Sequence, residues 1–350
     1  MLIFRYNATF MPSSTDERQA TEAWSQHTYV DVFSCAKERL DDEAILRDFS
    51  NRLCALLGFE RHGDIVIESF GGPIEKRDPR IYGPSSYQII ERGGVYCHLP
   101  VDREMVCVDV EKIGSDQEFD ARTVAEHTKK FFEGNRYQMV TVPHGVPNSA
   151  PAIRNVLDSA RVDVRWIMEH KPYVSTNPTP EKSTTMQVLT RSFDTHNSWG
   201  QLTTIDLHGC KPALITNVDH IRKYIEQICS SMVAKRYKEP FIKHFGAEGK
   251  YNGITFYQFI ETSGISGHFS PNLQKAIINA FSCRGFQSKY LARQAQEIFE
   301  ADSYVTATTL RGATDSFPKF YHNAVSTDMS TRWDMKPESE VQESDQTSVQ

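Results

Sequence analysis

YVDVFSCAKERLDDEAILRDFSNRLCALLGF, residues 29–59, opens with a short β-branched and aromatic run, passes through a polar turn, and continues with apolar residues at helical spacing (Ile45, Leu46, Phe49, Leu53, Leu56). That pattern is a strand followed by an amphipathic helix. LTTIDLHGCKPALITNVDHIRKYIEQICSSM, residues 202–232, has the same order of elements, and both strand openings end on a cysteine, Cys35 and Cys210. Each copy goes on with two strand-like runs: SYQIIERGGVYCHLP and EMVCVDVEKIG in the first, ITFYQFIETSGISGHFSP and KAIINAFSCRG in the second. Each then closes with a helical segment (ARTVAEHTKKFFEG; SKYLARQAQEIFEA) and a strand (YQMVTVPHG; SYVTATTLRG). Two copies of a strand-rich unit with helices on one side predict two sheets face to face with helices outside. The expected fold is therefore α+β, an αββα sandwich of two homologous halves.

The repeats span 28–145 and 200–312. Between them, 146–199 is a connector holding Pro147, Pro151, Pro172, Pro178 and Pro180, in which VDVRWIM has strand character. From 313 to 350 the chain turns polar and ends in PESEVQESDQTSVQ, a composition expected to stay disordered.

Composition narrows the function class. The chain has 350 residues, 39% hydrophobic and 24% charged, as in a soluble globular protein, and its net charge of −6 argues against a nucleic-acid surface. No apolar run approaches the roughly 20 residues that span a bilayer. MLIFRYNATFMPSSTDERQ is a poor signal peptide, and seven unevenly spaced cysteines do not suggest a disulfide framework, so a cytoplasmic, reducing location is expected.

The second copy carries Glu261-Thr262-Ser263-Gly264-Ile265-Ser266-Gly267-His268 and, on the next strand, Ala280-Phe281-Ser282-Cys283. A histidine five positions after the serine and a cysteine twenty after it resemble the S-adenosylmethionine decarboxylase family, particularly its short bacterial form. The resemblance implies a pyruvoyl-dependent carboxy-lyase that cleaves itself between Thr262 and Ser263, and whose cofactor is a pyruvoyl group made from Ser263. The chemistry has an independent logic. Loss of CO₂ from an amino acid leaves a carbanion that needs an electron sink, and a ketone joined to the substrate amine as a Schiff base supplies one. Making that ketone from a serine needs an activated hydroxyl, a proton shuttle and donors to an oxyanion, while a thiol nearby can return a proton to carbon. Gly264 suits a strained, close-packed turn beside the serine.

In this family the active site forms where two copies meet. Aligning ERGGVYCHLPVD with ETSGISGHFSPN sets His98 opposite His268, Gly93 opposite Ser263 and Ile113 opposite Cys283, so the first copy cannot form a pyruvoyl group. It keeps Ser85, thirteen residues before His98, at the family's second-serine position. It also keeps Asp102, four residues after His98, where the family has a ribose-binding glutamate. The second copy has Thr255 and Asn272 at those two places. The expectation is one composite site of Ser263 and Cys283 with Ser85, His98 and Asp102, and a second site that is dead and holds His268 as a relic. Tyr82 and Trp199 are candidates for stacking on adenine.

The pattern departs from the family at Thr262, usually glutamate, and at Ser270-Pro271-Asn272 and Leu99-Pro100-Val101-Asp102, where the family has Trp-Pro-Glu. These changes bear on substrate more than on reaction. Decarboxylation of S-adenosylmethionine for polyamine (spermidine) synthesis is the first expectation. Decarboxylation of ornithine or arginine, and a non-catalytic regulatory homologue, are the alternatives. A small-molecule substrate and no nucleic-acid or membrane partner are expected, with the two chains of one precursor acting as a monomer or homodimer.

Overall fold

The computed structural model describes residues 3–6, 24–71, 82–114, 119–144, 155–159, 166–171, 198–245, 249, 251–261, 263–312, 319–325 and 330–337. Before and within the first copy lie β1 (Ile3–Tyr6), β2 (Ser25–Phe33), helix α1 (Glu43–Leu56), β3 (Val66–Phe70), β4 (Gly83–Ile90), β5 (Gly93–His98), β6 (Met105–Ile113), helix α2 (Ala121–Phe131) and β7 (Arg136–His144). β8 (Asn155–Asp158) and β9 (Trp166–Lys171) follow in the connector. The second copy holds β10 (Gly200–His208), helix α3 (Val218–Ser231), β11 (Arg236–Phe245), β12 (Gly253–Ile260), β13 (Ser263–Ser270), β14 (Lys275–Ser282), helix α4 (Ser288–Ile298) and β15 (Ser303–Arg311). β16 (Lys319–Val325) and β17 (Ser330–Pro337) come last.

The strands form two sheets, ordered β3-β4-β5-β6-β2-β7-β8 and β1-β9-β17-β16-β15-β10-β14-β13-β12-β11. The central order β3-β4-β5-β6-β2-β7 of one is the order β11-β12-β13-β14-β10-β15 of the other, so the duplication extends to strand pairing. It extends to register as well: Ser85 lies opposite His98 across β4–β5, and Thr255 lies opposite His268 across β12–β13.

Alternation along each strand assigns its two faces. In β2, Val30 and Val32 join the core beneath α1 and α2, while Tyr29 and Phe33 point to the opposite sheet. In β10, Ile205 and Leu207 join the core beneath α3 and α4, while Leu202 points inward. Helices α1, α2 and α3 start on side-chain caps that satisfy first-turn amides: Asp42 accepts from Ala44, Asp120 from Arg122 and Asn217 from His220. The four layers are helix, sheet, sheet, helix, as expected from sequence.

Between the sheets the twin tyrosines Tyr87 and Tyr257 stack at 3.8 Å between ring centroids. Their approach explains Gly264. A side chain there, or at its twin Gly94, would occupy the place of the Tyr257 or Tyr87 hydroxyl, so close packing rather than a strained turn requires these glycines. Around the stack lies a buried charged layer. Arg311 on β15 donates to Asp31 on β2 from Nε at 2.9 Å and Nη2 at 2.6 Å, and also ion-pairs with Asp109 on β6. At the twin positions His144 on β7 meets Asp206 on β10 at 2.9 Å.

Two expectations change. Within 313–350, residues 319–325 and 330–337 form strands that extend the second sheet beyond β15, and β9 and β1 extend it further. Polar composition does not prevent this, because an exposed sheet edge offers backbone pairing to almost any extended segment. The strand character of VDVRWIM is found in part, at 166–168 of β9. Thr262 lies outside the described residues, as does most of the connector.

Arg311 supplies the counter-charge for two buried carboxylates, so Arg311→Leu should lower stability by about 3–5 kcal/mol at pH 7. Adding Asp31→Asn and Asp109→Asn should recover much of that loss. Urea unfolding midpoints of the single and triple variants test both statements.

Candidate active site

Ser263 opens β13, the middle strand of the β12–β13–β14 meander, and pairs with Ser282 on β14; Cys283 follows directly. Ser263 Oγ and Cys283 Sγ are 3.7 Å apart, and both residues are buried. The backbone of Ser263 has φ +153°, a conformation side chains rarely adopt. Its twin Gly93 has φ +158°, and there a Cβ would collide with the Glu111 carbonyl. The serine therefore stands where the other copy holds a glycine, a local strain of the kind that gathers at functional sites.

The first copy contributes a second pair. The Ser85 hydroxyl makes a short hydrogen bond with His98 Nδ1, and both residues are buried. Burial alone pushes His98 down to about 3, so its imidazole is neutral at physiological pH. The ring stacks on Trp199 at 5.2 Å and 13°, and His98 Nε2 is buried without a hydrogen-bond partner. Trp199 also touches Phe281 at 5.1 Å and belongs to the inter-sheet cluster that contains Cys283, Tyr96, Met105 and Cys107.

Tyr96 joins the two pairs. It precedes His98 by two residues on the same face of β5, and the hydroxyls of Ser85 and Ser263 both pull against the upward push that burial exerts on its phenol. Cys283 of the second copy thus shares one inter-sheet cluster with Tyr96 and Trp199, and His98 stacks on Trp199.

The twin site is assembled from the same positions with different contents. His268 bonds Thr255 through Nδ1 and packs 5.3 Å from Trp24, the counterpart of Trp199. Beside them the cluster holds Ile113, with Gly93 in place of the serine. His268 lies five residues along an extended strand from Ser263, roughly 16 Å, so the two are not neighbours despite their nearness in sequence.

Asp102 sits in the 3-10 turn Val101–Arg103, just beyond the strand that carries His98, and is half-buried. Tyr82 is placed elsewhere. Its ring packs against the helix-side core and its hydroxyl donates to Asp41 at 2.8 Å, so the structure does not bring it to Ser263. Strand alternation explains this, because Tyr82 lies outside β4 and points to the helix layer. Trp199 is at the site, but His98 occupies one of its faces. Sequence reasoning missed Tyr96 and Arg311. The phase of Gly94, Tyr96 and His98 along β5 was the available signal for the first, and nothing local marks the second.

The fold is thus a duplicated αββα sandwich, with a serine–thiol pair in one repeat and a serine–histidine pair in the other. The sequence model of the S-adenosylmethionine decarboxylase family matches the chain twice, at residues 26–145 and 201–312, once on each copy. The chain belongs to that family. Among solved structures it is similar to the adenosylmethionine decarboxylase from Aquifex aeolicus VF5, with 21% identity over 33% of this chain and 93% of that one and a TM-score of 0.29. No curated protein matches it. Among the described residues no helix is long and apolar enough to cross a membrane.

Burial also pushes His268 down to about 3. Between about pH 6.5 and pH 3 the unfolded chain therefore binds protons at His98 and His268 that the folded chain does not. Their contribution to stability is complete above pH 6.5 and is lost as pH falls toward 3. His268→Gln should remove one proton of this dependence. Relative to wild type, the variant should gain about 2 kcal/mol between pH 7 and pH 5, measured by urea unfolding at both values.

Proposed function

We propose that this chain cleaves itself between Thr262 and Ser263 and then decarboxylates S-adenosylmethionine with a pyruvoyl group derived from Ser263. The observation that carries the reading is Ser263 itself. It is a buried serine in a glycine-type backbone conformation, 3.7 Å from a thiol, and the other copy supplies a buried Ser85–His98 pair.

In this reading the Ser263 hydroxyl attacks the preceding carbonyl, and His98, neutral and bonded to Ser85, receives the proton. The amide becomes an ester; elimination frees the carboxylate of residue 262 and leaves dehydroalanine, whose imine tautomer is hydrolysed by water to pyruvate with loss of ammonia. The fit of this group rests on the buried, unpartnered Tyr96 hydroxyl and His98 Nε2, polar atoms available to a reacting carbonyl and its oxyanion. When formed, the pyruvoyl carbonyl supplies the electron sink for decarboxylation. Cys283 returns a proton to carbon after CO₂ leaves, and Asp102 accepts from the ribose hydroxyls. The product would serve polyamine (spermidine) synthesis in the cytoplasm. Both halves of the site lie on one precursor, so a monomer suffices for a small-molecule substrate.

Intact-mass measurement of the purified protein should find a break at the 262–263 bond, with the fragment starting at 263 blocked by pyruvate. Ser263→Ala should remain uncut. An uncut wild-type chain under native conditions overturns the reading. Release of CO₂ from S-adenosylmethionine, ornithine and arginine, compared side by side, tests the substrate. His98→Ala should slow cleavage or turnover by about 10²-fold or more, whereas His268→Ala should change neither. The opposite ranking would show that the halves are paired wrongly.

A further inference from the structure

The Tyr96 hydroxyl is buried and makes no hydrogen bond in the resting structure, an unfavourable state for a phenol. It is held in place by its ring, which packs against Tyr257 at 5.9 Å and Phe281 at 6.1 Å. It also lines a small cavity between the sheets, shared with Gly264 and Asp109. Strand register places it diagonal to Ser85, since Ser85 lies opposite His98 and Tyr87 lies opposite Tyr96. At that spacing an aromatic side chain reaches its diagonal neighbour. From the other sheet, Gly264, the residue after Ser263, lines the same cavity, and Cys283 belongs to the same inter-sheet cluster as Tyr96. Ser85 and His98 are hydrogen-bonded to each other, while the Ser263 hydroxyl lies against the Cys283 thiol at 3.7 Å. Ser263 thus has no direct bond to the histidine that is to take its proton.

We propose that Tyr96 is the bridge between the two serines, passing the proton of Ser263 to Ser85 and His98 during self-cleavage. This rests on the self-cleavage proposed above. As Ser263 Oγ forms its bond to the carbonyl carbon of residue 262, its proton moves to Tyr96 Oη. The Tyr96 proton moves to Ser85 Oγ, and the Ser85 proton moves to His98 Nδ1. The carbonyl π electrons settle on its oxygen, so the step yields one oxyanion and one imidazolium. The chain of transfers then reverses to protonate the Ser263 nitrogen as the C–N bond breaks, leaving an ester and an amine. Burial keeps the phenol protonated far above neutral pH, which suits a relay that must always hold a proton to pass on.

The test follows cleavage of freshly translated precursor by mass or gel. Tyr96→Phe keeps the ring and removes the hydroxyl. It should slow cleavage at least ten-fold with an unchanged urea midpoint, and should slow it no further when added to Ser85→Ala. Tyr257→Phe, which removes a neighbouring buried hydroxyl, should cleave at the wild-type rate. The wild-type protein gives a reading that depends on no variant. Three protons move together, so the rate in H₂O–D₂O mixtures should fall along a curve with deuterium fraction. An uncut wild-type chain overturns both proposals. Wild-type cleavage with an equally fast Tyr96→Phe, an equally slow Tyr257→Phe, or a linear isotope plot overturns the bridge alone.

Discussion

The guanidinium of Arg311 is the charge around which the space between the sheets is arranged. It leaves the end of β15 and reaches across the sandwich to Asp31 and Asp109 on two strands of the other sheet. The next amide, that of Gly312, donates to Asp31 at 2.9 Å, and the Arg311 carbonyl accepts from Trp199 at 2.8 Å. One residue therefore ties together β2, β6, β15 and the entry to β10. Desolvating such a group is costly, and only close pairing on several sides makes it tolerable. Trp199, fixed by the same backbone, is the plate on which His98 lies. The position of the imidazole is in this way linked to an ion pair formed one layer deeper.

The twin of Arg311 is His144, and this difference makes the two halves electrostatically unequal. Arg311 carries its charge at any pH the fold survives. His144 draws its charge from Asp206 and Glu111, which raise it against the downward push of burial. Glu111 is itself pushed up to about 7 by burial and accepts from Asn279 at 2.9 Å. The half that holds Ser263 is thus anchored by a permanent cation, while the half that holds Gly93 rests on a histidine whose charge depends on its carboxylate neighbours.

The sequence carried the duplication because each copy repeats the same alternation and the same spacing. Thirteen residues separate Ser85 from His98 and Thr255 from His268, and the shared strand register is the structural form of that interval. Helix positions were legible for the same reason: one apolar face, one polar cap. Arg311 was not, since its partners lie 202 and 280 residues away and no local pattern distinguishes it from a surface arginine. β16 and β17 were hidden for a different reason. Strands added beyond the repeated core can be held by backbone pairing, which leaves little trace in composition. Tyr82 was misplaced because an aromatic near a site is identified by its face, and the face is set by strand limits that sequence locates only to within a few residues.

The twin histidines show what the fold decides and what it leaves to individual residues. His98 and His268 are equally buried and equally shifted, each bonded through Nδ1 to a hydroxyl across one strand and each packed on a tryptophan. Their immediate surroundings differ only in detail: His98 bonds a serine and lies flat on its tryptophan, whereas His268 bonds a threonine and is tilted to its own. The separation lies across the sandwich, where one histidine faces the serine and thiol of the opposite sheet and the other has glycine and isoleucine at the matching places. In the proposed reading the site requires both sheets, because Ser263 and Cys283 lie on one and Ser85 and His98 on the other. Substituting Ser263 by glycine and Cys283 by isoleucine would therefore make these two positions match their twins while leaving the Ser85–His98 bond in the other sheet. The fold builds two sockets, and two side chains decide which of them is a site.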